Sequence, residues 1–169
     1  MKTRARRDAD SHVDVHAGGA RPVMLATLGV PFVEAAVSVA IDGAVETGQP
    51  LIVVNVTRLE PLSLSLLMGY DALEEFTPEV SASTRRPAEI AAGFGLKVER
   101  LRVRSPRPVT ALLELVRERT PGLLVFGPDP KRLSSRRFRK AASALREGAS
   151  CLVWIAGDPD RRDGTSALD

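Results

Sequence analysis

Leu51-Ile-Val-Val-Asn-Val56 is an unbroken run of mostly branched aliphatic residues that contains one asparagine. A strand with one wet face alternates apolar and polar residues, whereas a continuous apolar run is typical of a parallel strand buried on both faces. Val23-Met-Leu-Ala-Thr27 and Gly122-Leu-Leu-Val-Phe-Gly127 have a similar apolar character. We therefore expect these three runs to form strands in the interior of a parallel sheet.

Helical periodicity separates the apolar runs. From Pro31 to about Thr47 apolar residues recur every three or four positions, with Pro31 in the first turn and Gly48 as the stop. Further helices are predicted at Pro87 to Phe94, Pro108 to Thr120 and Arg136 to Glu147. Further strands are predicted at Leu96 to Val103, as an edge strand with one wet face, and at Cys151 to Ala156.

The alternation of strands and helices defines the fold class. It implies right-handed crossovers and a parallel sheet with helices on both faces. We predict a single doubly wound, Rossmann-like α/β domain of five parallel strands over residues 22–156, with flexible polar tails at 1–21 and 157–169. Ligands of such folds bind beyond the carboxyl ends of the strands, where the strand order reverses. Those ends are Thr27–Gly29, Asn55–Thr57 and Gly127–Lys131.

Composition narrows the function classes. The sequence has no apolar run long enough for a membrane span and no secretory leader pattern, so we expect a cytoplasmic protein. The lone Cys151 begins an apolar run, which favours a packed core residue over a nucleophile. The only histidines, His12 and His16, lie in the polar leader, which argues against a zinc site or a histidine-based catalytic site. With no P-loop and no dinucleotide fingerprint either, we predict no catalytic residues, no metal ligands and no enzyme activity.

The order of these patterns resembles the universal stress protein family over about Pro22 to Ala156. The expected core there is helix, glycine, edge strand, helix and a strand ending in glycine, and it closes with a helix, a small-residue turn, a cysteine and a final strand. The stretches that carry the resemblance are Val23 to Val56, Ala88 to Val103, Pro108 to Arg117, Gly122 to Gly127 and Ala141 to Ile155.

The sequence departs from the family pattern where ATP binds. ATP-binding members have an aspartate just after the first strand, whereas this chain has Ala26-Thr-Leu-Gly29. They also carry Gly-two residues-Gly-nine residues-Gly-Ser/Thr after the fourth strand, and the positions that follow Gly127 here are Pro130, Lys140 and Ala141. Proline has no amide hydrogen to offer a phosphate. The resemblance thus implies a member with a degenerate nucleotide site.

A basic cluster, Lys131-Arg-Leu-Ser-Ser-Arg-Arg-Phe-Arg-Lys140, holds six cationic side chains and no acid. One interpretation is a site for ATP or another phosphate-bearing ligand, in which Ser134 or Ser135 caps a helix whose positive end attracts the anion. The residues of this candidate site are Thr27, Gly29, Asn55, Gly127, Lys131, Arg132, Ser134, Ser135 and Arg136.

Two other interpretations of the basic cluster stay open. It can be a solvated helix face, or a patch that pairs with the acidic residues of a partner. Nucleic acid is disfavoured, because Phe138 is the only aromatic residue in the cluster and is expected to face the core rather than stack on a base.

The leading functional hypothesis is a non-catalytic regulatory or stress-response module without a cofactor, acting on an unidentified protein partner. Relatives commonly dimerise through the last strand, so we expect a homodimer through Cys151 to Ala156 with Trp154 as an anchor. The alternatives are an adenine-nucleotide-binding protein or slow ATPase that uses the basic cluster, and a nucleic-acid-binding module. The apolar connection Pro61–Tyr70 is expected to pack on the domain or in a dimer contact, or else to form a lid or pocket wall.

Overall fold

The computed structural model describes residues 19, 21–59 and 78–157. The prediction for Pro61–Tyr70 and those for most of the two tails fall outside these residues. In chain order the described elements are β1 (Val23–Thr27), α1 (Glu34–Thr47), β2 (Leu51–Arg58), α2 (Pro78–Gly93), β3 (Val98–Ser105), α3 (Pro108–Arg119), β4 (Leu123–Phe126), α4 (Ser135–Gly148) and β5 (Leu152–Ile155).

The strands form one parallel sheet in the order β3-β2-β1-β4-β5. β1 lies at the centre, where Val23 pairs with Leu51 of β2 on one side and with Leu123 of β4 on the other. The chain builds outwards from β1 to β3 and then returns to place β4 on the opposite side of β1. The doubly wound α/β prediction is confirmed, and the strand order reverses between β1 and β4.

Each face of the sheet has its own core, because successive side chains of a strand point to opposite faces. Val23 and Leu25 of β1 face α1 and α2, whereas Met24 and Ala26 face α3 and α4. On the second face α3 and α4 pack against each other, but on the first face α1 and α2 make few mutual contacts. The two helical layers therefore differ in how tightly they close.

The first helix begins later than its sequence indicates. Pro31 was expected in the first turn, but α1 starts at Glu34. The carbonyl of Pro31 accepts the N–H of Asp129 at 2.8 Å, and Phe32 forms an isolated antiparallel bridge with Pro128. These bonds to a distant loop hold residues 31–33 in an extended conformation. At its other end α1 stops as predicted at Gly48, whose φ is 64°.

The helix α2 is longer than predicted. A short helix at Pro87 to Phe94 was expected, but the helix runs from Pro78 and carries Pro87 in its interior. A proline inside a helix removes one backbone hydrogen bond and usually kinks or ends it. Here Pro87, Ala88 and Ala91 are buried against the sheet. Their packing offsets the lost bond, so the helix continues through the proline.

Gly127, at the end of β4, is a glycine for reasons of space. Its φ is not positive, so an alanine would fit the backbone. A Cβ added there would overlap the Cβ of Ala36 in α1 and would also touch Val33. α1 therefore reaches the carboxyl end of β4 only because this residue has no side chain.

The variant Gly127→Ala should lose about 1–3 kcal/mol of unfolding free energy, because it overpacks the contact with α1. In the double variant Ala36→Gly/Gly127→Ala the methyl group has moved from one element to the other, and the overlap is gone. Ala36→Gly alone costs about 1 kcal/mol of helix propensity. Urea denaturation of the four proteins should show the double variant to be more stable than the sum of the single losses allows. Additive losses would show that the two residues are not coupled.

Candidate functional site

Backbone hydrogen bonds join two loops across the point between β1 and β4 where the strand order reverses. The β1–α1 loop (residues 28–33) and the β4–α4 loop (residues 127–134) both leave the carboxyl edge of the sheet here. The N–H of Val33 donates to the carbonyl of Gly127 at 3.0 Å, and the N–H of Asp129 donates to Pro31 in return. The two loops are thus bonded to each other across the crevice in which ligands of this fold class bind.

The β4–α4 loop uses its backbone amides internally. Pro128 and Pro130 have no N–H, and the other five amide hydrogens between Gly127 and Leu133 all donate within the protein. Their acceptors, in chain order, are the carbonyls of Ala26 and Pro31, the carboxylate of Asp129 and, twice, the carbonyl of Asp129. A phosphate cradle needs backbone N–H groups that point at the ligand. This stretch has none left to offer.

Asn55 connects three elements at the carboxyl edge. Its side chain is fully buried within β2, level with Thr27 at the end of β1. The Oδ1 atom accepts the N–H of Gly29 at 2.8 Å, and the Nδ2 atom donates to Oγ of Ser83 in α2 at 3.1 Å. Buried Thr27 fixes the same loop by donating its hydroxyl hydrogen to the carbonyl of Val30 at 2.9 Å. These polar groups hold the β1–α1 loop in place.

The basic half of the predicted site lies on the surface. Ser134 caps α4 by accepting the N–H of Arg137 at 3.4 Å, and Phe138 turns inwards to stack on Phe126 with ring centroids 5.9 Å apart. Both features agree with expectation. The exposed members of the predicted site are Lys131, Arg132, Ser134, Ser135 and Arg136. Thr27, Gly29 and Gly127 lie at or just after the ends of β1 and β4 as expected, whereas Asn55 lies inside β2, which continues to Arg58.

Sequence reasoning missed an arginine row on β3. Arg100, Arg102 and Arg104 occupy alternate positions of this edge strand and are all exposed. They share the face that carries α2, because Leu101 and Val103 pack into the opposite core. The signal was present as arginine with a period of two. Charge on an edge strand also discourages unwanted pairing with other strands.

Metal and thiol chemistry find little support in the described residues. The part of the chain that the structure describes has no group of three or more His, Cys, Asp or Glu side chains that could hold a metal ion. Cys151 is half-buried, and burial raises the pKa of its thiol, although a backbone hydrogen bond at Leu124 opposes this in part. Burial therefore disfavours the thiolate, which is the nucleophilic form. Among the described helices, none has the length and apolar character to cross a bilayer.

A sequence model of the universal stress protein family matches residues 19–157. The chain belongs to the universal stress protein family. No curated protein sequence matched it.

Solved universal stress protein structures share this fold. UspA from Lactobacillus plantarum is 14% identical with a TM-score of 0.60, over 82% of this chain and 99% of its own. A universal stress protein from Archaeoglobus fulgidus in complex with dAMP is 18% identical with a TM-score of 0.57, over 80% of this chain and 96% of its own. A third, in complex with cAMP, is 24% identical with a TM-score of 0.55, over 81% of this chain and 97% of its own. Likeness at these identities extends to the fold alone.

Replacing Asn55 with alanine should cost about 1–3 kcal/mol of unfolding free energy, because the Gly29 N–H loses its acceptor in a partly buried site. Ser143→Ala is the matched control. It also removes one side-chain hydrogen bond, to Glu147, but on an exposed helix face, and should stay within about 0.5 kcal/mol of the parent. Urea denaturation compares the two. Equal losses would mean that the Asn55 bonds contribute no more than a surface bond.

Proposed function

We propose that this universal stress protein is a non-catalytic regulatory module that does not hold ATP by a backbone phosphate cradle. The observation that carries the proposal is the internal use of every amide hydrogen between Gly127 and Leu133. An incoming polyphosphate would have to break those bonds and would meet the carboxylate of Asp129 on the same loop.

The start of the first loop supports the same proposal. Leu28 and Gly29 follow β1, so no carboxylate stands where nucleotide-binding relatives carry one. The N–H of Gly29 is already bonded to Asn55 at 2.8 Å. We further propose that the protein acts in the cytoplasm on a protein partner, a setting that its single cysteine suits.

Nucleotide titration tests the proposal. Thermal shift and calorimetry with ATP, ADP, AMP and cyclic AMP should show no saturable binding at micromolar concentration, because every amide hydrogen between Gly127 and Leu133 is already bonded within the protein. A saturable rise in melting temperature that persists in Arg132→Ala and Arg136→Ala would contradict the proposal, whereas a rise that is lost in both variants would favour the alternative that follows.

The alternative is an adenine-nucleotide site, or slow ATPase, formed by the basic cluster instead of the loop amides. Lys131, Arg132 and Arg136 are exposed at the start of α4, and two structural neighbours were solved with cAMP and dAMP. If nucleotide binds, Arg132→Ala and Arg136→Ala should abolish it under this alternative. Arg117→Ala removes the same charge at the far end of α3 and should leave binding intact.

We also propose a homodimer through β5. Among the strands that the structure describes, β5 pairs with β4 alone, and its other edge meets no described strand. Trp154, expected as the anchor, is half-buried against the α1 core, whereas Leu152 leaves 74% of its surface exposed. Leu152 and Trp154 share one face of the strand. This apolar edge supports pairing with a second copy.

Leu152→Lys should convert the dimer to a monomer, because it places a charge on the proposed interface without disturbing the core. Light scattering coupled to size exclusion measures the mass. Val45→Lys is the control, since Val45 is an exposed apolar residue of α1, 46% exposed and away from β5. A dimer that survives Leu152→Lys would refute this arrangement.

A further inference from the structure

A groove runs between α1 and α2 on the less tightly closed face of the sheet. Its volume is about 760 Å³, within the range of small-molecule sites. Its lining includes no residue of β5, and near the carboxyl edge it borders the β4–α4 loop at Pro31, Phe32 and Arg132. The lining residues that matter here are the apolar side chains Ile41, Ile90 and Phe94 and the charged side chains Glu34, Arg86 and Arg132.

Small side chains keep the groove open. On the sheet side α1 presents Ala36, Ala40 and Ala44, which bring this helix close to the strands. The side of α1 that faces α2 carries Ser38, and the facing side of α2 carries Ala82 and Ser83. None of these side chains is long enough to fill the space between the helices. The groove therefore stays unfilled where Ser38 of α1 faces Ala82 and Ser83 of α2.

The polarity of the groove changes along its length. Both helices run from the carboxyl edge of the sheet towards its amino edge, and from Glu34 to Asp42 the groove spans about 12 Å at 1.5 Å per residue. Ser83, Arg86 and Arg132 lie in the half near the carboxyl edge. The other half holds two large apolar side chains that are unusually exposed, Ile90 at 41% and Phe94 at 66%.

The charges near the carboxyl edge select the kind of ligand. Two guanidinium groups, Arg86 and Arg132, and one carboxylate, Glu34, line that half, which leaves a formal charge of about +1. A single carboxylate matches this charge and can bind a guanidinium through two parallel hydrogen bonds. A polyphosphate carries more negative charge than this half of the groove can neutralise, and Glu34 would repel it. An apolar body would cover Ile90 and Phe94.

We propose that this groove binds a small amphipathic monocarboxylate, with its head at Arg86 and its aliphatic or aromatic body along Ile41, Ile90 and Phe94. The site does not depend on the proposed regulatory function. It assigns a ligand class to a groove that shares Arg132, and no other residue, with the candidate phosphate site.

Decanoate is the probe, used below its micelle concentration with the full chain in calorimetry. It should bind saturably at one site per chain. Decanol, which has the same body without charge, and decyltrimethylammonium, which carries the opposite charge, should bind at least tenfold more weakly. Equal binding of the cation and the carboxylate would overturn the proposal, as would the failure of decanoate to bind at all.

Arg86→Gln should weaken decanoate about ten- to a hundredfold, the range expected for losing a hydrogen bond to a charged group. Arg85→Gln is a closely matched control. Arg85 is the adjacent residue of the same helix, is exposed, and faces Glu89 at 3.6 Å rather than the groove. Its replacement should leave affinity unchanged. Equal losses of affinity in the two variants would mean that decanoate responds only to the net charge of the protein, and would overturn the assignment of its head group to Arg86.

Ser38→Phe tests the cavity itself. Ser38 is exposed on α1, so a larger side chain fills the groove without entering the core. The melting temperature should stay near that of the parent, while decanoate binding is lost. Unchanged binding in a folded Ser38→Phe protein would show that the carboxylate binds elsewhere.

Discussion

The close approach of α1 to the end of β4 constrains the whole carboxyl edge of the domain. It exists because Gly127 has no side chain where the Cβ of Ala36 lies. Once α1 sits there, the N–H of Val33 reaches the carbonyl of Gly127, and the chain on either side can bridge at Phe32 and Pro128. The contact thereby sets the position at which α1 can begin and the path of the β4–α4 loop.

That contact also gives a physical reason for the altered site. A glycine in a phosphate-binding loop usually leaves backbone amides accessible to the ligand. Here Gly127 instead allows α1 to approach closely, and its own N–H donates to the carbonyl of Ala26 at 3.1 Å. The two prolines that follow remove two more donors, and the turn around Asp129 uses the rest. The charge of the basic cluster is therefore carried by side chains in and after a loop whose backbone amides from Gly127 to Leu133 are all bonded within the protein. Cationic side chains on the surface are a different kind of site from a backbone cradle.

The sequence predicted those parts of the fold that depend on local pattern. The run Leu51 to Val56 predicted a strand buried on both faces, and Gly48 predicted the end of a helix. The inward orientation of Phe138 was also predicted correctly. The predicted helix boundaries were wrong where contacts with residues distant in sequence determine them. The start of α1 depends on bonds from the chain near Asp129, and the continuation of α2 through Pro87 depends on burial against the sheet. The groove could not be predicted from the sequence, because it forms between two helices that are far apart in the chain.

The side-chain amide of Asn55 links the β1–α1 loop to the groove between α1 and α2. One end accepts from Gly29 in the β1–α1 loop, and the other donates to Ser83, which lines the groove between α1 and α2. Because Asn55 is fully buried, neither bond can be exchanged for water without a cost. A shift of α2 at Ser83 must therefore either carry the asparagine with it or break one of the two bonds. The position of the loop at the carboxyl edge and the width of the groove are coupled through this one side chain.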